Sequence, residues 1–186
     1  MVVAKVVRNE PLVLAKRSKV NDFFRRHFVL KGLLRRMEFE RIGALVEERP
    51  SDARNIVKLA GSTDYKVSVH AVTSLRSMLF NGNGTVSNQV LLALNEGLWN
   101  KRVSGLCAEL LVGKLGAGEK DVVLIIATAL LVAPEKAQKE LLRELRVEAK
   151  RARHDPNLKS ALDQLCSHSN PEVVSMAKRI LELADQ

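Results

Sequence analysis

Aromatic residues are scarce in this chain, with five Phe, one Tyr and one Trp making up 4% of 186 residues. That scarcity argues against a β-sandwich, and the dominance of Ala, Leu and Val suits closely packed helices. Cysteine is nearly absent. Cys107 and Cys166 have neither metal-like spacing nor an accompanying His pattern, so neither suggests a metal site. Both fall at apolar positions of predicted helices and read as core thiols of a reducing, cytoplasmic compartment. Long apolar runs are missing as well. The longest, Val122–Ala133, falls well short of the ~20 residues that span a bilayer and reads as a buried central helix. The run Val2–Val7 is broken by Lys5 and is too short for a secretory leader.

Catalytic signatures are also lacking. The four histidines, His27, His70, His154 and His168, are scattered, with no HExxH among them. No nucleophile elbow, phosphate loop or dinucleotide fingerprint occurs. Gly82-Asn83-Gly84 precedes a helix, whose N–H groups attract anions in some proteins, but it reads better as a plain inter-repeat turn. No catalytic residue, metal or cofactor is therefore expected.

Apolar residues make up 46% and charged residues 27%, a soluble globular composition. A period is the strongest feature present. A polar or Pro residue is followed by a small apolar residue three later, a small residue seven later and Leu eleven later. The pattern reads Asp64, Val67, Ala71, Leu75; Asn100, Val103, Cys107, Leu111; and Asn170, Val173, Ala177, Leu181. A degraded copy reads Pro134, Ala137, Leu141, Leu145, and the four starts lie 36, 34 and 36 residues apart. Offsets of three, seven and eleven share one helix face. A fixed period of this length signals stacked helical units. Each copy marks the second helix of a pair. The first helices are expected near Ser51–Gly61, Thr85–Leu98, Glu119–Leu131 and Asp155–His168. Ser51, Thr85 and Asp155 serve as expected N-caps, with Pro156 and Pro171 at first helical positions. The breaks at Gly82–Gly84 and Gly116–Gly118 separate the pairs. The small seven-slot residues should let a partner helix approach closely.

These slots resemble the HEAT/armadillo group of α-solenoids over about 51–186. The resemblance implies antiparallel helix pairs stacked in a right-handed superhelix, with second helices lining the concave face. Many HEAT repeats carry Arg just after the Val slot, bonded to an Asp of the next repeat. Here that place holds Ser68, Ser104, Gln138 and Val174, so a regular Asp–Arg ladder is not expected. Ahead of the repeats, residues 1–19 form a basic arm and residues 20–50 a divergent helical cap. In the cap, Val20–Met37 and Glu38–Glu48 read as helices. Val20, Phe23, Phe24, His27, Leu30 and Leu34 share one face of the first. The fold expectation is all-α, a short solenoid with a basic N-terminal cap.

Charge points to function. The net charge is +9. Residues 1–40 hold ten Lys/Arg against four Asp/Glu, and the remainder twenty against seventeen. A local basic excess implies an anionic partner. The N-terminal candidates are Lys5, Arg8, Lys16, Arg17, Lys19, Arg25, Arg26, Lys31, Arg35 and Arg36. A second set, Lys136, Lys139, Arg143, Arg146, Lys150 and Arg153, recurs at three- and four-residue spacing. On one continuous helix over 135–151, extended to Arg153, these would form a single stripe. Glu140, Glu144 and Glu148 would lie on a separate flank, with pairs such as Lys136–Glu140 as the plain alternative.

The function expected is a non-enzymatic scaffold that binds a macromolecular partner, such as an acidic protein surface, through its groove and basic region. The alternative is a nucleic-acid-binding or packaging protein using both basic sets. A nucleic-acid-modifying enzyme ranks third. Such a site needs aromatics to hold a base, whereas Trp99 and Tyr65 read as packing residues at helix-pair turns. Peripheral membrane contact by the 20–37 helix and self-association through its Phe residues are lesser expectations.

Overall fold

The computed structural model describes residues 25–117 and 120–183. Among the described residues there are eleven helices and no strand. The first, α1, is described over 25–35. There follow α2 (Phe39–Glu48), α3 (Ser51–Ala60), α4 (Tyr65–Asn81), α5 (Gly84–Gly97) and α6 (Ser104–Gly116). The chain continues through α7 (Lys120–Val132), α8 (Glu135–Leu145), α9 (Ala149–His154), α10 (Pro156–Leu165) and α11 (Pro171–Leu183).

Short polar side chains start several of these helices by taking up free N–H groups. Asp64 accepts from Val67 N at 3.3 Å, and Asn83 from Val86 N at 2.9 Å. Asp155 accepts from Asn157 N at 2.9 Å and Leu158 N at 3.2 Å, ahead of Pro156. Two expected caps are corrected. Ser51 is already helical behind Pro50, which provides no side-chain cap. Thr85 lies inside α5, because Asn83 reaches the N–H three residues on and starts the helix earlier. At the other end of α1, Met37 adopts φ 59°. Met37 N donates to Leu34 O and Glu38 N to Leu33 O, each at 3.1 Å. This is a Schellman stop with Met where Gly is usual.

The slots of the repeated pattern become core. Val67, Ala71, Leu75, Cys107, Leu111, Ala137, Leu141, Leu145, Val173 and Ala177 are completely buried, Val103 nearly so, and only Leu181 is half-buried. One apolar cluster runs from Leu30 in α1 to Ile180 in α11. Within it α3 packs on α4, α5 on α6, α7 on α8 and α10 on α11. Successive pairs touch through like members, α3 with α5 and α7 with α10, then α6 with α8 and α8 with α11.

Gly97 shows why a small side chain is needed at the seven slot. A Cβ there would lie 2.5 Å from Cys107 Sγ and 2.9 Å from Val57 Cγ1. Burial pushes the Cys107 thiol up to about 12, so it stays neutral within this contact.

Polar contacts repeat with the same period. Among the described residues, side-chain hydrogen bonds recur between residues 33 to 36 apart. They include His70 Nδ1 with Leu34 O at 2.7 Å, Lys136 Nζ to Lys101 O at 2.7 Å, and Asn170 Nδ2 to Glu135 Oε1 at 2.8 Å. Two of the residues after the Val slot act within their own pairs, whereas Ser104 Oγ is buried with no hydrogen-bond partner among the described residues. Ser68 Oγ donates to Ala60 O at 2.6 Å, and Gln138 Nε2 to Leu130 O at 2.9 Å. Each satisfies a carbonyl at the end of the preceding helix. Lys114, itself buried, does the same across pairs. Its Nζ donates to Leu79 O at 2.8 Å and lies 5.4 Å from the centre of the Phe80 ring.

Candidate partner-binding surfaces

Lys5, Arg8, Lys16, Arg17 and Lys19 lie outside the described residues. The remaining N-terminal arginines mostly have partners within the fold. Arg26 donates to Asp52 Oδ2 at 2.5 Å and reaches Glu48 at 3.5 Å. Asp52 is only 1% exposed, so this pair ties α1 to α3 through a desolvated carboxylate. Arg35 pairs with Asp64 at 2.6 Å. The Arg35 hydrogen bond, aided by Val67 N–H, holds the Asp64 carboxyl below its usual range. Arg36 pairs with Glu38, which also accepts from Arg41 at 2.5 Å. These two guanidinium groups keep Glu38 below the usual carboxylate range. Arg25 is exposed with no such partner among the described residues, and Lys31 is half-buried.

The second basic set does not lie on one continuous helix. The structure ends α8 at Leu145, turns through 146–148 and restarts as α9. Val147 N donates to Glu144 O at 3.1 Å and Glu148 N to Leu145 O at 3.0 Å. This tighter winding leaves Val147 84% exposed. Ala149 and Ala152 beyond the turn are buried, where α9 meets α10 and α11. No Gly or Pro marks the break, so periodicity alone reads through it.

Several cations of this set are also engaged. Lys136 donates to Lys101 O rather than pairing with Glu140. Lys139 pairs with Glu172 at 2.5 Å and Glu135 at 2.9 Å. Donating to those two carboxylates pushes its ammonium pKa up, and hydrogen bonds from Lys139 and Asn170 pull Glu135 down. Arg143 pairs with Glu140 one turn back. Arg153 is half-buried, while Arg146 and Lys150 are exposed with no ion-pair partner among the described residues.

Two of the three flank acids, Glu144 and Glu148, line a groove instead. An open pocket of about 330 Å³ lies along α4, α6 and the α8–α9 turn. Its walls carry Phe80 and Val147, and Glu144 and Glu148 sit beside them. The ring of Phe80 lies over Gly113, 3.7 Å from where a Cβ would stand. Arg76 pairs with Glu109 across the groove. Sequence reasoning put acids and bases on separate flanks, whereas Glu140 pairs with Arg143, and it did not place Glu144 and Glu148 in a groove. That required knowing which flank of α8 meets α6 and α4.

The aromatic expectation is corrected. Tyr65 is 79% and Trp99 47% exposed, so neither packs its turn. Gly61 and Val103 make that contact, with a Cβ at Gly61 falling 2.8 Å from Val103 Cγ1. The turns meet backbone to side chain and leave the rings outside. Phe28 of the cap is also exposed, at 70%.

No family model matches the chain, and no curated protein matches it. One similar solved structure is the crystal structure of an engineered protein from a structural genomics consortium. It is 18% identical, with a TM-score of 0.36 over 80% of this chain. This chain spans 48% of that protein's length. At that score the likeness carries no weight for fold or function. Among the described residues, no group of three or more His, Cys, Asp or Glu could hold a metal ion. No helix among them is long and apolar enough to cross a membrane.

Proposed function

We propose that this chain is a HEAT-like α-solenoid acting as a non-enzymatic scaffold for a protein partner. The observation carrying this reading is the set of hydrogen bonds at 33 to 36 residues, which matches the sequence period. Contacts between equivalent places in successive units are what a stacked array requires. Such arrays expose extended faces, and binding partners along them is their common use. Random-peptide display against the full chain tests the reading. Peptides should be enriched over an unrelated helical control protein, and no enrichment would remove the scaffold reading.

The nucleic-acid alternative draws on the basic sets. The engagement of Arg26, Arg35, Arg36, Lys139 and Arg143 in ion pairs weakens it. Neutralising phosphates would compete with those contacts. Titration with unrelated DNA and RNA at rising salt, with and without residues 1–19, separates the two readings. Tight binding with a steep salt slope, weakened by the truncation, would favour nucleic acid.

A further inference from the structure

We infer that the groove between α4, α6 and the α8–α9 turn binds a cationic, aliphatic peptide segment of a partner protein. This rests on the protein-scaffold reading above and names the chemistry of the partner.

The first observation is the apolar part of the groove. Phe80 on one side and Val147 on the other are exposed, and Gly113 between them has no side chain to fill the space. The floor is made by Leu110 and Val112, both buried. At about 330 Å³ the space lies at the low end of the range for small-molecule pockets. It is open to solvent, which suits a side chain projecting from a peptide.

The second observation is charge. Of the groove's three carboxylates, Glu109 is already paired with Arg76. Glu144 and Glu148 are half-buried, and neither has an ion-pair partner among the described residues. Both line the same pocket, so one cationic segment can reach the two carboxylates. Partial burial lowers the local dielectric and strengthens their attraction for a cation. The chain as a whole carries +9, so this acidic lining runs against the overall charge. An occupant that satisfies both walls brings Lys or Arg to Glu144 and Glu148 and an aliphatic side chain between Phe80 and Val147. A nucleic acid would instead place phosphates against two unpaired carboxylates.

The test uses the full chain and a labelled synthetic peptide in which two Lys, one helical turn apart, flank a Leu. Fluorescence anisotropy should detect binding that weakens with salt, and a matched peptide with Glu for Lys should not bind. Glu144→Lys with Glu148→Lys should weaken binding at least about tenfold. Val147→Ser changes a highly exposed position, leaves the fold intact, and should weaken binding as well. Lys159→Glu, on the exposed face of α10, should leave binding unchanged.

Failure of the Lys–Leu peptide to bind would overturn the inference. So would equal affinity in the charge-reversed chain, or an RNA oligonucleotide that competes for the groove. If peptides of another class are enriched by display and ignore Glu144 and Glu148, the groove assignment falls while the scaffold reading stands. If no peptide of any class is enriched, both fall.

Discussion

Asp52 is a carboxylate taken almost wholly out of water, and Arg26 is what makes that tolerable. Removing one partner of a buried pair leaves an uncompensated charge. Arg26→Ala should therefore cost about 3 kcal/mol in chemical denaturation, at the low end because the arginine side chain is still 24% exposed. Glu48→Ala, at the solvated end of the same arginine, should change stability by less than about 1 kcal/mol. Equal effects would mean that Asp52 is not desolvated in solution. Met37 offers an opposite sign. A side chain at its left-handed backbone angle costs about 1 kcal/mol, which glycine does not pay. Met37 is exposed, so little burial is lost. Met37→Gly should raise the denaturation midpoint by the equivalent of about 1 kcal/mol.

Pairs of helices meet through the small slots, and this is where mutations act on whole elements. Ala71 and Ala177 are completely buried between neighbours. Ala71→Arg or Ala177→Arg adds both excess volume and a buried charge. Thermal melts should fall sharply for both, and unchanged melting would refute the assignment of these slots to helix contacts. The α5–α6 contact allows a finer test. Gly97→Ala gains helix propensity of about 1 kcal/mol but forces its Cβ into Cys107 Sγ and Val57. The clash should win, with a net loss of about 1–2 kcal/mol. Adding Cys107→Ala removes the nearest clashing atom and should recover part of that loss in a double-mutant cycle.

Across the whole molecule, ion pairs tie α1 to α4 and α8 to α11, and their pH dependence has a definite sign. Arg35 holds Asp64 below its usual range, and Lys139 with Asn170 does so for Glu135. A carboxylate with a lowered folded-state pKa contributes stability above its unfolded value and loses it as pH falls through the folded one. The contribution should be flat near neutrality and decline below about pH 4. Asp64→Asn with Glu135→Gln should shrink that acid-side decline in a pH series of melting temperatures. Because the groups are exposed, the change should be modest and weaker in high salt.

Helix class, helix starts near most expected positions, and the buried slots were legible in the sequence, because they depend on periods of three to four residues and on local capping chemistry. Val67, Cys107, Leu141 and Ala177 are in the core because residues at those offsets share one helix face in any helix. The break after Leu145 was not legible, since no local signal interrupts 135–153 and burial of Ala149 and Ala152 against other helices decides it. Nor was the exposure of Tyr65 and Trp99. The fate of the charges was equally hidden. The sequence by itself determined that the N-terminal region is basic and that the 135–153 segment is rich in both signs of charge. Only the tertiary structure decided that most of the described bases from these sets are spent on internal carboxylates and carbonyls, while Glu144 and Glu148 face an open groove. Arg26, Arg35, Lys136 and Lys139 find partners 26 to 35 residues away, which become neighbours only when the helices pack.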